Sequence, residues 1–310
     1  MENELNDLKG AGPATLEKLD ASGISTLMLL ATESPENVSS VAGISEAKAR
    51  ALIKQCREHL KLGFEKAITF AKKREKTSRL STGCSDLDSV LGGGFESSAI
   101  TEIYGRTGSG KTQISHTMII RALLEDKKNK AIFLDSESTF RPSRIKDICE
   151  PCKLDYEDVM NRIYVTRSYN SSHQILLVEE IEKMLQKDNT YRIIVIDSIT
   201  SHFRADFVGR GMLASRQQLL NKHLHQLLKI ADVYNMVIIV TNQVSSNPGI
   251  MYGNPETPIG GNILSHSATN ILYVRPAKAS TWSAKLVDSP DLPQSDCQYL
   301  ITKNGIENIK

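Results

Sequence analysis

After residue 80, the apolar residues follow two different patterns. Short continuous apolar runs, rich in Ile, Val, Leu and Phe, are separated by longer stretches whose apolar residues recur at helical spacing. Continuous apolar strands are typical of mainly parallel sheets that helices cover on both faces. The pattern therefore predicts an α/β domain over residues 81–310. The main strands are predicted at 100–104, 131–135, 162–166, 192–197 and 236–241, with hairpin-like additions at 271–275, 284–287 and 298–302.

Residues 1–60 follow a different pattern, in which short glycine turns precede helical stretches. Residues 8–13 lead into one such stretch, and residues 41–45 lead into another that runs from 46 to about 60. Glycine permits the tight turns, and free N–H groups at a helix start suit a DNA phosphate. The two turns resemble tandem helix-hairpin-helix elements, a sequence-independent DNA-binding module. The alternative is a small all-α bundle that binds no ligand.

Residues 61–80 form a linker rich in positive charge between these two domains. Phe64 and Phe70 interrupt the charged residues. An aromatic side chain in a polar linker needs a surface that buries it, and another chain can provide one.

The amino-acid composition indicates the cellular compartment but says little about the binding partners. Lys and Arg total 38 against 36 for Asp and Glu, so a nucleic-acid surface would have to come from local clustering. The polar N-terminus and the absence of a long apolar run predict no signal peptide and no membrane span, hence a soluble intracellular protein. Five scattered cysteines fit a reducing compartment, and Cys149 and Cys152 form a lone C-x-x-C that is more typical of chance or structure than of redox or metal chemistry.

Residues 105–112 read Gly-Arg-Thr-Gly-Ser-Gly-Lys-Thr, a complete G-x-x-x-x-G-K-T phosphate loop between a predicted strand and a predicted helix. The glycines let backbone N–H groups converge on a β-phosphate, and Lys111 reaches the β and γ oxygens. The Thr112 hydroxyl is placed to hold Mg²⁺. The motif predicts that the chain binds a nucleoside triphosphate, ATP, with Mg²⁺.

Polar residues at the ends of other predicted strands complete a hydrolysis site. Asp197 ends an apolar strand, where a carboxylate can hold the Mg²⁺ shell. Glu137 follows another strand end and can orient the attacking water, although an exposed loop glutamate is the alternative. Gln243 ends a third strand, from which an amide can contact the γ-phosphate and report it to the Gly- and Pro-rich loop at 244–262.

Several strings resemble the RecA/RadA family of DNA strand-exchange ATPases, archaeal RadA in particular. The resemblance spans nearly the whole chain, and its N-terminal domain favours the archaeal branch. The strings that carry it lie at residues 136–145, 200–207, 209–211, 241–244, 258–262 and 288–293. It implies a RecA-like P-loop core preceded by a helix-hairpin-helix domain.

The resemblance also implies roles for individual residues around the nucleotide. Arg144 would lie near the adenine, while Asp288 and Pro293 would belong to a cap that a neighbouring subunit lays over the nucleotide. Phe64 and Ala67 resemble a linker motif that docks on the next protomer. The nucleotide contacts in the loop itself would be Gly105, Arg106, Thr107, Gly108, Ser109, Gly110, Lys111, Thr112 and Gln113.

Two loops resemble the DNA-binding loops of the family. The first, around 207–215, has Arg204, Arg210 and Arg216 near it, and the second, 244–262, contains Gly260 and Gly261. Arginines bind phosphate oxygens, and glycine loops can follow a single-strand backbone without reading bases.

The chain departs from the family at several positions. An arginine that relatives often carry at the Ile271 position is missing, and Pro276 stands where a lysine is common. Arg106 stands where archaeal relatives often have an acid, in a variable slot, so no loss of phosphate binding is expected. His266 resembles a histidine that couples nucleotide state to DNA, but a lone histidine is as often a packing residue.

These features together predict an ATP-dependent recombinase, a DNA-dependent ATPase that forms filaments on single-stranded DNA and exchanges strands with double-stranded DNA. We expect a homo-oligomeric filament or ring, a cytoplasmic, nucleoid-associated location in a prokaryote, and no membrane. The alternatives are a recombinase paralogue that acts as a mediator and a ring-forming motor with a RecA fold.

Overall fold

The computed structural model describes residues 4–75, 77–246, 256–278 and 280–309. The chain divides into two compact units, Met1–Lys76 and Thr77–Lys310. Among the described residues, no helix combines the length and the apolarity that crossing a membrane requires.

The first unit is built from short helices. Local chemistry sets the starts of three of them, since the hydroxyls of Thr26, Ser34 and Ser45 each accept a hydrogen bond from a backbone N–H three residues later. Buried apolar side chains such as Leu30 and Leu52 form the core. After a 3₁₀ helix at Glu4–Asp7, the helices are α1 Pro13–Ala21, α2 Leu27–Thr32, α3 Pro35–Ala42, α4 Glu46–His59 and α5 Ala67–Arg74.

Glycine turns precede α1 and α4, as the sequence predicts. Gly12 is the N-cap residue of α1, and Gly43 ends α3 with φ 58°, in the left-handed region that glycine adopts easily. Lys18 of α1 donates to the Gly43 carbonyl at 3.2 Å, and Lys48 of α4 donates to the Thr15 hydroxyl at 2.6 Å. These bonds tie the two helix-turn units to each other.

The second unit is organised around a nine-stranded sheet with the order β13-β12-β11-β10-β3-β7-β6-β4-β5. The strands from β10 to β5 in that order are parallel, and β10 to β13 are joined as antiparallel hairpins. Both features confirm the predicted sheet. The strands are β1 Arg79–Leu80, β2 Phe95–Glu96, β3 Ala99–Tyr104, β4 Lys130–Asp135, β5 Ile163–Arg167, β6 Tyr191–Asp197, β7 Val237–Asn242, β8 Val244–Ser246, β9 Glu256–Pro258, β10 Asn270–Pro276, β11 Trp282–Asp288, β12 Asp296–Thr302 and β13 Gly305–Glu307.

Helices cover both faces of this sheet. Alternate residues of β4 point to opposite faces, so Phe133 packs in the cluster around α7 while Ile132 and Leu134 pack in the cluster around α10 and α12. The helices are α6 Ser85–Val90, α7 Lys111–Glu125, α8 Pro142–Cys149, α9 Tyr156–Asn161, α10 Ser171–Lys187, α11 Ser201–Asp206, α12 Leu213–Tyr234 and α13 Asn262–Ser267, with a 3₁₀ helix at Arg210–Met212.

Two segments expected as loops contain regular structure. The region 207–215 includes the 3₁₀ helix and the first residues of α12, because the helical spacing of the buried Leu220, Leu224 and Leu227 extends to a helix start at Leu213. The region 244–262 contains an antiparallel ribbon of β8 and β9, in which Ser246 faces Glu256. Residues 247–255 of that region lie outside the described residues.

Candidate functional site

The phosphate loop lies between β3 and α7, at the carboxyl end of the central parallel strands. Gly108 and Gly110 have φ values of 77° and 96°, which favour glycine. A Cβ on Gly110 would stand 2.6 Å from Cδ1 of Ile301, so a side chain there would require that methyl group to shift. A cleft of about 290 Å³ opens beside it. Gly108, Ser109, Gly110, Lys111, Thr112, Gln113, Trp282 and Ile301 line that cleft.

This cleft has the donors that a triphosphate needs. Gly110 has no side chain with which to cap α7, so the first N–H groups of that helix remain for an anion. The Lys111 ammonium donates to the carbonyls of Gly105 and Arg106 at 2.9 and 3.0 Å. Burial lowers the pKa of Lys111, while the nearby carboxylates of Asp197 and Glu137 oppose that shift. The lysine is therefore a cation held in a poorly solvated place, where a phosphate would stabilise it.

Asp197 lies at the end of β6, where hydroxyl groups converge on its buried carboxylate. Thr112 and Thr139 each donate to Oδ2 at 2.7 Å, and Thr241 donates to Oδ1. A magnesium ion at a triphosphate site needs a hydroxyl and a carboxylate beside phosphate oxygens and water, and Thr112 with Asp197 fits that donor set. No cluster of three or more His, Cys, Asp or Glu side chains suited to a metal occurs among the described residues.

Glu137 and Gln243 meet in the structure, as their positions at two strand ends require. The Gln243 amide donates to Oε1 of Glu137 at 2.9 Å. Burial raises the pKa of Glu137, and the charge of Asp197 raises it further. A half-buried carboxylate with a raised pKa is suited to accept a proton from water.

Asp135 positions Glu137, and the sequence analysis missed this role. The Asp135 carboxylate accepts from the backbone N–H groups of Glu137, Thr139 and Phe140 at 3.2, 3.0 and 3.1 Å. Asp135 lies opposite Asp197 in the register of β4 and β6. An Asp at a strand end that precedes a Ser- and Thr-rich turn is the signal that could have identified it.

Arg144 holds the start of α7 against the hairpin of β12 and β13. Its Nε donates to Oε1 of Gln113 at 2.6 Å, and its two Nη atoms donate to the carbonyls of Thr302 and Lys303 at 2.5 and 2.7 Å. Burial lowers the pKa of Arg144. These bonds connect Arg144 to Gln113, the residue that follows Thr112. A contact between Arg144 and adenine stays a prediction.

The segment 288–293 lies away from the cleft of its own chain. Asp288 and Pro293 are exposed and are not among the described residues that line the cleft. Arg79 binds Asp291 at 3.1 Å, and a Cβ on Gly92 would stand 2.9 Å from Leu292. The segment is therefore anchored to its own chain, and its contact with a neighbour's nucleotide stays a prediction.

The segments expected to bind DNA border the same end of the sheet. Arg204 is exposed on α11, Arg216 is half-buried on α12, and Arg210 lies in the 3₁₀ helix between them. Gly260 and Gly261 follow β9 with φ values of 103° and 60°. Their DNA contacts stay predictions.

Asn242, the last residue of β7, connects both segments. Its amide donates to the Ile259 carbonyl at 2.6 Å and to buried Glu102 at 2.7 Å. The Thr200 hydroxyl, just before α11, donates to Oδ1 of Asn242 at 2.6 Å. Both segments are thus fixed to the strand that Gln243 directly follows.

Phe64 and His266 are exposed, and Cys149 is buried. The Phe64 side chain is 113% exposed and Ala67 begins α5, whereas His266 lies in the last turn of α13. Their roles in assembly and in sensing stay predictions.

Cys149 and Cys152 are free thiols, and burial raises the pKa of Cys149 to about 11, which makes it a poor nucleophile.

The chain matches two family models. The Rad51 model matches residues 73–309, and a model described as a SAM-like helix-hairpin-helix tandem matches residues 2–58. A similar protein from Metallosphaera sedula, named DNA repair and recombination protein RadA, is 40% identical over 310 residues, which cover 99% of this chain and 96% of that protein. A protein of the same name from Aeropyrum pernix is 40% identical over 309 residues, covering 98% and 97%.

Proposed function

Because the chain belongs to the Rad51 family, we propose that it is an ATP-dependent DNA recombinase. It would assemble on single-stranded DNA, pair that strand with a homologous duplex and exchange strands in recombination and repair. The observation that carries this proposal is the bond between Glu137 and Gln243, which joins a hydrolysis site to the base of a segment suited to DNA.

The phosphate loop would bind the triphosphate of ATP. Lys111 and the first N–H groups of α7 would hold the phosphate oxygens, and Thr112 with Asp197 would hold Mg²⁺. Magnesium neutralises negative charge on the β- and γ-phosphates. Arg144 would close the adenine side through Gln113.

Glu137 would act as the group that orients water and takes its proton. Its raised pKa lets the carboxylate accept a proton, and the Asp135 carboxylate fixes the backbone that carries it. Gln243 would exchange its bond with Glu137 for one with the γ-phosphate. That exchange would carry the state of the nucleotide to β8, which begins one residue later.

DNA would bind at the two segments beside α11 and β9. Arg204, Arg210 and Arg216 would contact phosphates at the first, while Gly260 and Gly261 would let the second follow the strand. The helix-hairpin-helix unit would add contacts to double-stranded DNA through its glycine turns.

Assembly would join one copy's linker to the next copy's sheet. Phe64 is fully exposed, and β5 is an edge strand with Tyr164 41% and Val165 42% exposed. An edge strand with exposed apolar residues can accept an extended segment from another chain. Asp288 and Pro293 of a neighbouring copy would then cover the nucleotide. The filament would work on the nucleoid in the cytoplasm.

The test combines a strand-exchange assay with electron microscopy in ATP, Mg²⁺ and single-stranded DNA. We expect filaments and joint molecules, and Lys111→Ala should remove both because nucleotide binding is lost. Joint molecules absent under conditions that give only closed rings would overturn the proposal and favour a motor. ATP and DNA binding without exchange would favour a mediator.

A further inference from the structure

Arg106 of the phosphate loop forms an ion pair with Glu256 of β9. Nε of Arg106 faces Oε1 of Glu256, although 149 positions separate the two residues in the sequence. The backbone of Arg106 is equally engaged, because its carbonyl accepts a hydrogen bond from Lys111. One residue therefore touches the phosphate-binding lysine and the ribbon of β8 and β9.

Glu256 is held from a second side. Only 8% of its side chain is exposed, whereas 65% of the Arg106 side chain is exposed. The Tyr273 hydroxyl donates to Oε2 of Glu256 at 2.8 Å, and the ring of Tyr273 lies 5.0 Å from that of Tyr104. Tyr104 is the last residue of β3, directly before the phosphate loop. A buried carboxylate loses solvation, so its cation partner strongly affects its free energy.

The Arg106–Glu256 ion pair and Gln243 are connected to different strands of the ribbon. Gln243 precedes β8 and reaches Glu137, whereas Glu256 begins β9 and reaches Arg106. Ser246 and Glu256 face each other at the end of the ribbon, where the segment proposed to hold DNA continues into residues 247–255. Both strands of the ribbon are thus bonded to the nucleotide site.

A triphosphate would change the electrostatics at Arg106. It places several negative charges beside the loop, which compete with Glu256 for the exposed guanidinium. A change at Arg106 alters the stabilisation of a carboxylate that is buried. The ribbon must respond, and by linkage a ligand that moves the ribbon must alter phosphate binding.

We propose that the Arg106–Glu256 ion pair couples nucleotide binding to DNA binding through β9, as a second connection beside Gln243. This inference rests on the proposed function. Arg106 and Glu256 are positioning residues, since neither has to touch the reacting atoms. The arginine found where related chains often have an acid would then have its partner in this chain's own ribbon.

The test measures the affinity for a fluorescent, non-hydrolysable ATP analogue with and without oligo-deoxythymidine. The ratio of the two affinities is the coupling factor, for which allosteric proteins typically give about 5- to 150-fold. Arg106→Ala and Glu256→Gln should each lower that factor by about threefold or more, while the connection through Gln243 keeps the remainder. Arg106→Lys should retain most of it, because it keeps a positive charge at the loop position opposite Glu256.

Two further variants separate coupling from general damage. Lys285→Gln removes a positive charge from the same cavity, which Tyr104, Glu256, Tyr273 and Lys285 help to line, and it should keep the wild-type factor. Tyr273→Phe removes one bond to Glu256, keeps the ring packing, and should give a partial loss of coupling. Thermal unfolding of each variant reports stability independently.

The outcomes distinguish the inference from the function beneath it. A wild-type coupling factor that persists in Arg106→Ala and Glu256→Gln would overturn the inference alone, as would an Arg106→Lys variant no better coupled than Arg106→Ala. A wild-type protein in which DNA never alters nucleotide affinity would overturn both this inference and the proposed function.

Discussion

The substitution Thr241→Val removes one of the hydroxyl groups that hold the carboxylate of Asp197. Both residues are fully buried, and Val matches Thr in volume, so the change mainly deletes the hydrogen bond to Oδ1. A hydrogen bond to a charged group contributes about 1.5–3 kcal/mol, and Asp197 is too buried for bulk solvent to replace it. For a unit of this size a loss of about 2 kcal/mol lowers Tm by roughly 4–8 °C.

The assay is calorimetry together with the Mg²⁺ dependence of ATP hydrolysis. Thr241→Ser is the matched control, because it keeps the hydroxyl and removes only a methyl group that is worth about 0.8 kcal/mol. Thr241→Val should therefore lose more stability than Thr241→Ser and should require several-fold more Mg²⁺. The reasoning would be refuted if the Tm of Thr241→Val equalled or exceeded that of Thr241→Ser and its Mg²⁺ requirement matched that of the wild type. Asp197 would then not depend on this hydroxyl.

Three other predictions test the site. Glu137→Gln should bind ATP normally and lower turnover by about 10²- to 10⁴-fold, the usual contribution of a general base; phosphate release near the wild-type rate would remove Glu137 from that role. Gly110→Ala should cost roughly 1–2 kcal/mol of stability, from its positive φ, and should weaken nucleotide binding because the loop backbone or Cδ1 of Ile301 must shift to accommodate the Cβ; normal binding in a fluorescence titration would contradict the cradle geometry. Burial raises the pKa of the Glu102 carboxyl group from 4.5 to about 7 in the folded protein. The protonated group therefore contributes stability below pH 4.5, and this contribution is lost as pH rises to about 7. Urea denaturation should show a fall of up to roughly 3 kcal/mol over that window in the wild type and a flatter profile in Glu102→Gln; parallel profiles would contradict it.

The sequence predicts the sheet well because its strands are strongly apolar on both faces. The phosphate loop and the position of Asp197 follow from motif spacing and from the rule that parallel strands end at one edge. The meeting of Glu137 and Gln243 follows from the same rule, since each comes just after a strand of that sheet. The helix-hairpin-helix prediction is confirmed by the family match.

Other features depend on contacts that no local pattern encodes. The ribbon of β8 and β9 has three residues on each strand, too few for a periodic signal, and it lies in a region rich in Gly and Pro. The Thr241 hydroxyl reaches Asp197 because β6 and β7 are neighbours, and the Thr139 hydroxyl, in the turn after β4, reaches it because β4 and β6 are neighbours. The pair of Arg106 and Glu256 joins residues whose proximity depends on the order of the whole sheet.

Trp282 is the only tryptophan in the sequence, and it lies in the wall of the phosphate cleft beside Gly110 and Ile301. Indole emission responds to the polarity and the charge around the ring. Selective excitation of tryptophan therefore observes one place in the molecule, without a label and without background from elsewhere in the chain. The protein carries a built-in optical probe for the arrival of a ligand, available in the unmodified chain and in every variant that leaves Trp282 intact.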